Sequence, residues 1–481
     1  MHRHEQRHAL VLGASLGGLL AARVLADHFD RVTLVERDAL PERAEQRKGV
    51  PQGRHAHGLL ASGLRTLESL FPGLGESLAA EGAMRTDLPQ TRWILGGRRL
   101  KSESLGFPGV CASRPTLEAE VRRRVLALPN VALRDRHDVL GLVVEGERVC
   151  GARLLGRRDE SAEEVVHAEL VVDATGRGSR LPTWLEELGY AAPVEERVRM
   201  GMTYTSARVR RRPTHANGDL VVVVGATPEV PRAGAALAVA HDEWIVTVMG
   251  YLGARPEPTL EGMRAWASQL IAPDLAALLA DTELVSPVAT YQFPHAGRRR
   301  YERLRRHPEG VIAFGDAICG FNPIFAQGMT VAAHEALALS ILLATGRTDG
   351  LWRRFYARAR PIVDVPWAIA TGNDLRIEGV EGTRPAGATL LDRYLDRLLA
   401  VAEHDPKVGT AFLRVTNLLD APSSLMKPAT MLRVLFGRRA TPALPADTTR
   451  PPSPSTSVGH VVGTPPTDDP DAPFRATMRI G

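Results

Sequence analysis

The segment Gly13-Ala14-Ser15-Leu16-Gly17-Gly18 follows an apolar run, His8–Leu12, and its small residues suit two kinds of chemistry. Gly13, Ser15 and Gly17 match G-x-S-x-G, a sharp turn that exposes a serine nucleophile. Gly13, Ser15 and Gly18 match G-x-G-x-x-G with serine in the central place, a turn that lets backbone approach a pyrophosphate at a helix N-terminus. A merely structural turn is the plain alternative to both. Position favours the dinucleotide reading, because a nucleophile elbow normally follows several strands and this turn follows the first. A second apolar run ends at Glu36, 23 residues after Gly13, where an acidic side chain can accept from ribose hydroxyls; Arg37 comes next.

Two later segments sharpen this reading. One is Asp173-Ala174-Thr175-Gly176-Arg177-Gly178-Ser179-Arg180. The other is Gly315-Asp316-Ala317-Ile318-Cys319-Gly320-Phe321-Asn322-Pro323, continuing through Gln327-Gly328-Met329-Thr330. Taken singly, Asp173 and Asp316 are ordinary caps and Arg177 a solvated loop residue. In this order behind Gly13 they are hard to explain that way. A fourth cluster, Arg47-Lys48-Gly49-Val50-Pro51-Gln52-Gly53-Arg54-His55-Ala56-His57-Gly58, sets Arg54, His55 and His57 either against a cofactor or at a solvent-facing helix start.

These residues need a scaffold, and the patterning supplies one. His8–Leu12 and Arg31–Val35 read as buried strands around a helix over Gly17–His28. Helices are expected over Arg54–Leu70 and Leu117–Leu128, with strands near 130–135, 138–145, 149–156 and Glu169–Val172. Residues 1–199 form the first part of a Rossmann-type domain, and 200–289 an inserted β-rich substrate domain. The Rossmann domain returns over 290–345, with a strand Val311–Phe314 and a helix over 328–345. A helical region occupies 346–437, with Leu390–Val401 and Val408–Leu418 as examples. Residues 438–481, rich in Pro, Thr, Ser and Asp, form a disordered tail. The fold class is α/β.

Composition excludes several functions. With 481 residues, 44% apolar and 24% charged, the chain is neither disordered throughout nor a disulfide-stapled miniprotein. Its 60 basic residues nearly balance 55 acidic ones, and no basic block exceeds short runs such as Arg298-Arg299-Arg300, which argues against nucleic acid. Cys111, Cys150 and Cys319 are too scattered for a metal cage and fit a reducing cytoplasm. Residues 9–22 lack charge, but Gly13, Gly17 and Gly18 suit a turn better than an export helix. No run is apolar enough to span a bilayer, so a cytoplasmic protein without stable membrane insertion is expected.

Taken together, these motifs resemble the flavoprotein monooxygenases of the aromatic-hydroxylase type over roughly residues 8–345. The Arg47–Gly58, Asp173–Arg180 and Gly315–Met329 segments are similar to those of the bacterial polyether-type epoxidases, a branch close in chemistry to squalene epoxidase. The resemblance implies FAD rather than NAD, held by Gly13, Ser15, Gly18, Glu36, Arg37, Arg114, Val139, Asp173, Gly315 and Asp316. Asp316 would hold the ribityl chain, and Gly328 and Met329 would offer N–H groups to the flavin edge. Pro323 and Phe325 would lie near the flavin face; Phe325-Ala326 stands where a Tyr-Gly pair is common, so a phenol is missing there. The implied reaction inserts one atom of O2 into a lipophilic natural-product intermediate, by alkene epoxidation through a flavin C4a-hydroperoxide. That step needs no protein nucleophile, and no catalytic acid or base is assigned. Aromatic hydroxylation and saturation of prenyl double bonds on the same scaffold stay open. No second strand–GxGxxG–helix unit follows the first, so NADPH or NADH binds transiently or a separate flavin reductase supplies electrons. A flavin halogenase would show W-x-W-x-I-P, which the tryptophans at 93, 184, 244, 266, 352 and 367 do not form.

Overall fold

A computed structural model describes residues 6–438 apart from 48, 108, 158–162 and 241. The expected tail, beyond its first residue, lies outside the described residues. Five strands form a parallel sheet in the order Val311–Ala313, Leu170–Asp173, His8–Leu12, Arg31–Val35, Val131–Arg134. The three central runs are buried along almost their whole length because helices and the three-stranded sheet of His137–Glu145, Arg148–Gly156 and Glu164–His167 pack into one core with them, so alternation has no solvent side to record. The helices Leu16–Leu25 and Gly328–Leu343 pack in the same core, the first starting just past the carboxyl end of the central strand His8–Leu12.

A second sheet of eight strands carries the other half of the site. Its order is Cys319–Gly320, Ala289–Arg299, Glu195–Arg210, Glu243–Gly250, Arg232–Val239, Val221–Val224, Thr91–Leu95, Arg98–Arg99. The sheet therefore extends beyond 200–289 at both ends and recruits Thr91–Leu95, which pairs parallel with Val221–Val224. Arg92 hides that strand in the sequence: a buried arginine breaks the apolar pattern. In the fold its guanidinium donates to Asp219 (2.8 Å) and Asp274 (2.6 Å), which offsets its desolvation.

The helix expected from Arg54 begins only at Ala61. A short 3-10 turn ends at Arg54, and the chain then runs extended to Leu60. The Ala56 N–H donates to Thr247 Oγ1 at 2.8 Å, so this stretch is tied to the second sheet instead of its own helix. The C-terminal region is helical over Leu351–Asp374, Ala388–Ala402, Pro406–Thr416 and Pro428–Phe436.

Candidate cofactor and substrate site

The Gly13 turn is built for close approach. Gly13 has φ +95°, and a Cβ there would lie 2.6 Å from the Ala174 carbonyl oxygen. A Cβ on Gly18 would lie 1.8 Å from the Gly13 carbonyl oxygen, so helix and strand meet only because both residues lack side chains. Ser15 caps the helix Leu16–Leu25 by position, but its hydroxyl makes no capping bond. It donates to Glu118 Oε2 (3.3 Å) and accepts from Arg114 Nη2 (3.1 Å). No imidazole joins it among the described residues, so the geometry of a hydrolase triad is missing.

Around the same helix end stands a charge cluster that sequence reading caught only in part. Arg114 was expected; Arg47 and Glu118 were not singled out. Arg47 Nε donates to Glu118 Oε1 at 3.0 Å, and its Nη1 lies 3.4 Å from Glu36 and 3.3 Å from Asp38. Burial works against the charge on Glu118, but Arg114 and Arg47 hold its carboxyl below the usual range. Arg47 Nη2 is buried with no partner. The signal for Glu118 was present: it stands four residues after Arg114 on one helix, the spacing of an ion pair.

Glu36 ends its strand buried, accepting from the Ala14 N–H (2.9 Å) and the Asp38 N–H (3.1 Å). Arg37 beside it is exposed. The Glu36 carbonyl accepts from the His137 N–H at 2.9 Å, which brings the strand His137–Glu145, and with it Val139, to this end of the sheet. Asp173 is fully buried and acts on the chain itself. Its oxygens accept from Thr175 N (3.0 Å), Thr175 Oγ1 (2.5 Å) and Ser179 Oγ (2.5 Å), shaping the turn that faces Gly13.

Asp316 stands in a recess: its side chain is accessible, yet protein surrounds it closely enough for burial to raise its pKa against the pull of Arg114 and Arg177. Its Oδ1 lies 3.4 Å from where a Cβ on Gly328 would be. Gly328 and Met329 open the helix Gly328–Leu343, whose first turn receives no side-chain cap, and the buried Gln327 Oε1 has no partner. Gly315, at φ +62°, donates its N–H to Glu335 Oε2 at 2.7 Å. Burial pushes the Glu335 carboxyl up to about 8.

The turn Pro323–Phe325 is tied to the second sheet, the Ile324 N–H donating to Tyr204 Oη at 3.2 Å. Tyr204 Oη donates to Asn322 Oδ1 at 2.5 Å, and Asn322 Nδ2 donates to Asp374 Oδ1 at 2.8 Å. Beyond the turn is a cavity of about 720 Å³, lined by His57, Trp93, Tyr204, Pro323, Phe325 and Leu395 among others. The C-terminal helices supply part of its wall, through Leu391, Leu395 and Phe412.

The two histidines part company. His55 is buried; its Nδ1 lies 2.7 Å from Ser206 Oγ, and burial, with lesser effects of His57 and Arg54, pushes its pKa down to about 3. His57 lines the cavity and is pushed down to about 4 by burial and by Arg114. Arg54 is exposed and takes no part in the cavity wall. Neither histidine caps a helix.

These features fit a dinucleotide-linked flavin. A Gly cradle and two arginines meet a helix N-terminus where a pyrophosphate carries two negative charges. Arg47 Nη2 offers an unused buried donor there. A second uncapped helix start lies beside Asp316.

Comparison with known proteins agrees. A model of the FAD binding domain matches residues 6–353. The chain is 37% identical over 441 residues to Protein Rv3254 of Mycobacterium tuberculosis, covering 86% of this chain and 90% of that one. Its fold is similar to p-nitrophenol 4-monooxygenase from Pseudomonas putida DLL-E4, with TM-score 0.61, 16% identity and coverage of 87% and 99% of the two chains. It is also similar to OxyS anhydrotetracycline hydroxylase from Streptomyces rimosus, with TM-score 0.53, 21% identity and coverage of 86% and 76%. The flavin-dependent brominase Bmp2 shares the fold at TM-score 0.62 and 16% identity, covering 85% of this chain and 93% of that one. The chain belongs to the family of FAD-binding domain proteins.

Proposed function

We propose that the protein is an FAD-dependent monooxygenase that inserts one atom of O2 into a lipophilic natural-product intermediate by alkene epoxidation, in the manner of the polyether-type epoxidases. The observation that carries this reading is the cavity of about 720 Å³ directly beyond the Pro323–Phe325 turn, bordering the cleft that fits FAD. When bound, FAD supplies electrons to O2 and delivers one oxygen atom to the substrate.

The chain's own residues then have definite tasks. Gly13, Ser15 and Gly18 admit the pyrophosphate, and Arg47 and Arg114 balance its charge. Glu36 meets the ribose, with Arg37 and Val139 flanking the adenosine end. Asp173 fixes the facing turn, while Gly315 and Asp316 meet the ribityl chain. The Gly328 and Met329 N–H groups sit at a positive helix end, which favours negative charge on the flavin edge. Pro323 and Phe325 shape the floor of the substrate cavity, and its largely apolar wall keeps water from the reacting face.

Epoxidation needs no base in the cavity wall, and two groups that line the cavity beside the turn are poorly suited to take a phenol proton. Hydroxylation gains from a base that takes the phenol proton. His57, at about 4, is a poor base, and burial raises the Tyr204 hydroxyl well above its usual range. Electrons come from NADPH or NADH bound transiently, or from a separate flavin reductase; the described residues hold one Gly13-type cleft, used by FAD.

The test is turnover of polyenes and terpenoids by reduced holoenzyme under isotopically labelled O2. A product with one labelled oxygen across a former double bond supports the reading. A product saturated without oxygen uptake assigns the site to a reductase instead.

A further inference from the structure

The C-terminal helices turn an apolar face outward. The helix Pro428–Phe436 buries Val434 but exposes Leu432 (57%), Leu435 (46%) and Phe436 (81%). These three stand at i, i+3 and i+4, one stripe on the side away from Val434. Leu390 and Leu391 are exposed at the start of the helix Ala388–Ala402. The two helices are fastened together by Arg397 Nε, which donates to the Val434 carbonyl at 2.6 Å, while Tyr394 Oη donates to the Leu425 carbonyl, in the turn before the second helix, at 2.6 Å. Leu391 and Met426 are both exposed and part of the cavity lining, so this face borders the cavity mouth. Single exposed apolar residues need no explanation, but a stripe of three on one short helix, with exposed Leu391 and Met426 at the cavity, does.

Charge identifies the partner. From residue 421 to 446 the sequence contains Lys427, Arg433, Arg438 and Arg439 and neither Asp nor Glu. Lys427 and Arg438 are exposed, Lys427 with Asp420 in its neighbourhood; Arg433 shares its charge with Asp405 at 2.8 Å on the surface. An outward apolar stripe flanked by cations is the arrangement of a helix lying in a membrane interface. A second copy of the chain would instead bring two like-charged stretches together. We propose that Leu390, Leu391, Leu432, Leu435 and Phe436 rest in the interface of an anionic lipid bilayer, with the cavity mouth opening toward the lipid. The attachment is peripheral: among the described residues no helix is long and apolar enough to cross a membrane.

The experiment is flotation of the full-length holoprotein with phosphatidylcholine vesicles, with and without phosphatidylglycerol. Flotation with the anionic vesicles, weakened by added salt, is expected. Leu432→Ser with Phe436→Ser should lower partitioning by about tenfold or more while retaining bound flavin, which reports an intact fold. Lys427→Glu with Arg438→Glu should abolish the preference for anionic vesicles. Absence of flotation overturns the proposal, as does equal flotation with neutral vesicles. A dimer that the apolar double variant converts to monomer assigns the face to self-association and also overturns it. Vesicle binding is read without turnover, so the result stands apart from the oxygenation reading.

Discussion

Asn322 Nδ2 donates to Asp374 Oδ1 at 2.8 Å, joining the turn before the helix Gly328–Leu343 to the last turn of the helix Leu351–Asp374. Tyr251 Oη donates to the same carboxylate oxygen at 2.8 Å, and Tyr204 Oη to Asn322 Oδ1. The turn that carries Pro323 is thus positioned by the second sheet and the C-terminal region as well as by its own cap, the Ile324 N–H donating to Asn322 Oδ1 at 3.3 Å. Asn322→Ala strands the Tyr204 hydroxyl without its acceptor in the interior and leaves Asp374 Oδ1 with the Tyr251 hydroxyl as its donor. It should cost about 1–3 kcal/mol for the stranded group, measured by urea unfolding of the holoprotein, and should shift the bound flavin's visible spectrum.

Stability should depend on pH through two buried carboxyls. Glu335 rises from its ordinary 4.5 to about 8, and Asp374 from 3.8 to about 7, both through burial. A raised folded pKa favours the protonated form, so each contribution is complete below the ordinary value and is lost as pH climbs toward the raised one. Glu335→Gln keeps an acceptor for the Gly315 N–H and should flatten the fall in stability between pH 4.5 and 8. His55 and His57 act in the opposite sense. Their pKa values are lowered to about 3 and about 4, so their contribution is complete above 6.5 and is lost on acidification. Thermal melts of wild type and Glu335→Gln across pH 4 to 8 separate the two effects; parallel curves would refute the assignment to Glu335.

Cofactor retention should depend on the Gly13 turn and on Arg114. Gly18→Ala forces a Cβ to 1.8 Å from a backbone oxygen and should yield protein that is unfolded or free of FAD. Arg114→Ala removes one charge-assisted contact and should weaken FAD binding by about tenfold or more, read by flavin fluorescence on dialysis. Weakening by Arg114→Ala should be smaller at high salt.

Cavity volume should set substrate choice. Leu395→Trp adds bulk to the wall contributed by the C-terminal helices. It should lower kcat/KM for long polyenes by about tenfold or more while leaving the rate of flavin reduction unchanged.

The parallel sheet was legible because its strands are short apolar runs and its turns are glycine-dependent; His8–Leu12 and Arg31–Val35 hold as read. Local motifs marked Gly13, Glu36 and Asp316 for the same reason. What stayed hidden depends on distant partners. The strand Thr91–Leu95 carries Arg92, acceptable inside only because Asp219 and Asp274 reach it. The Arg54–Leu70 periodicity suggested one helix, but a bond from Ala56 to Thr247 holds its first turns extended. Arg47 and Asp374 gain their roles only through neighbours 71 and 52 residues away.

The most direct test of the account is the visible spectrum of purified holoprotein, reduced without oxygen and then mixed rapidly with O2. The account predicts oxidised-flavin bands, their loss on reduction, and an intermediate spectrum on oxygenation before the oxidised bands return. Colourless protein that takes up no FAD on reconstitution would contradict it.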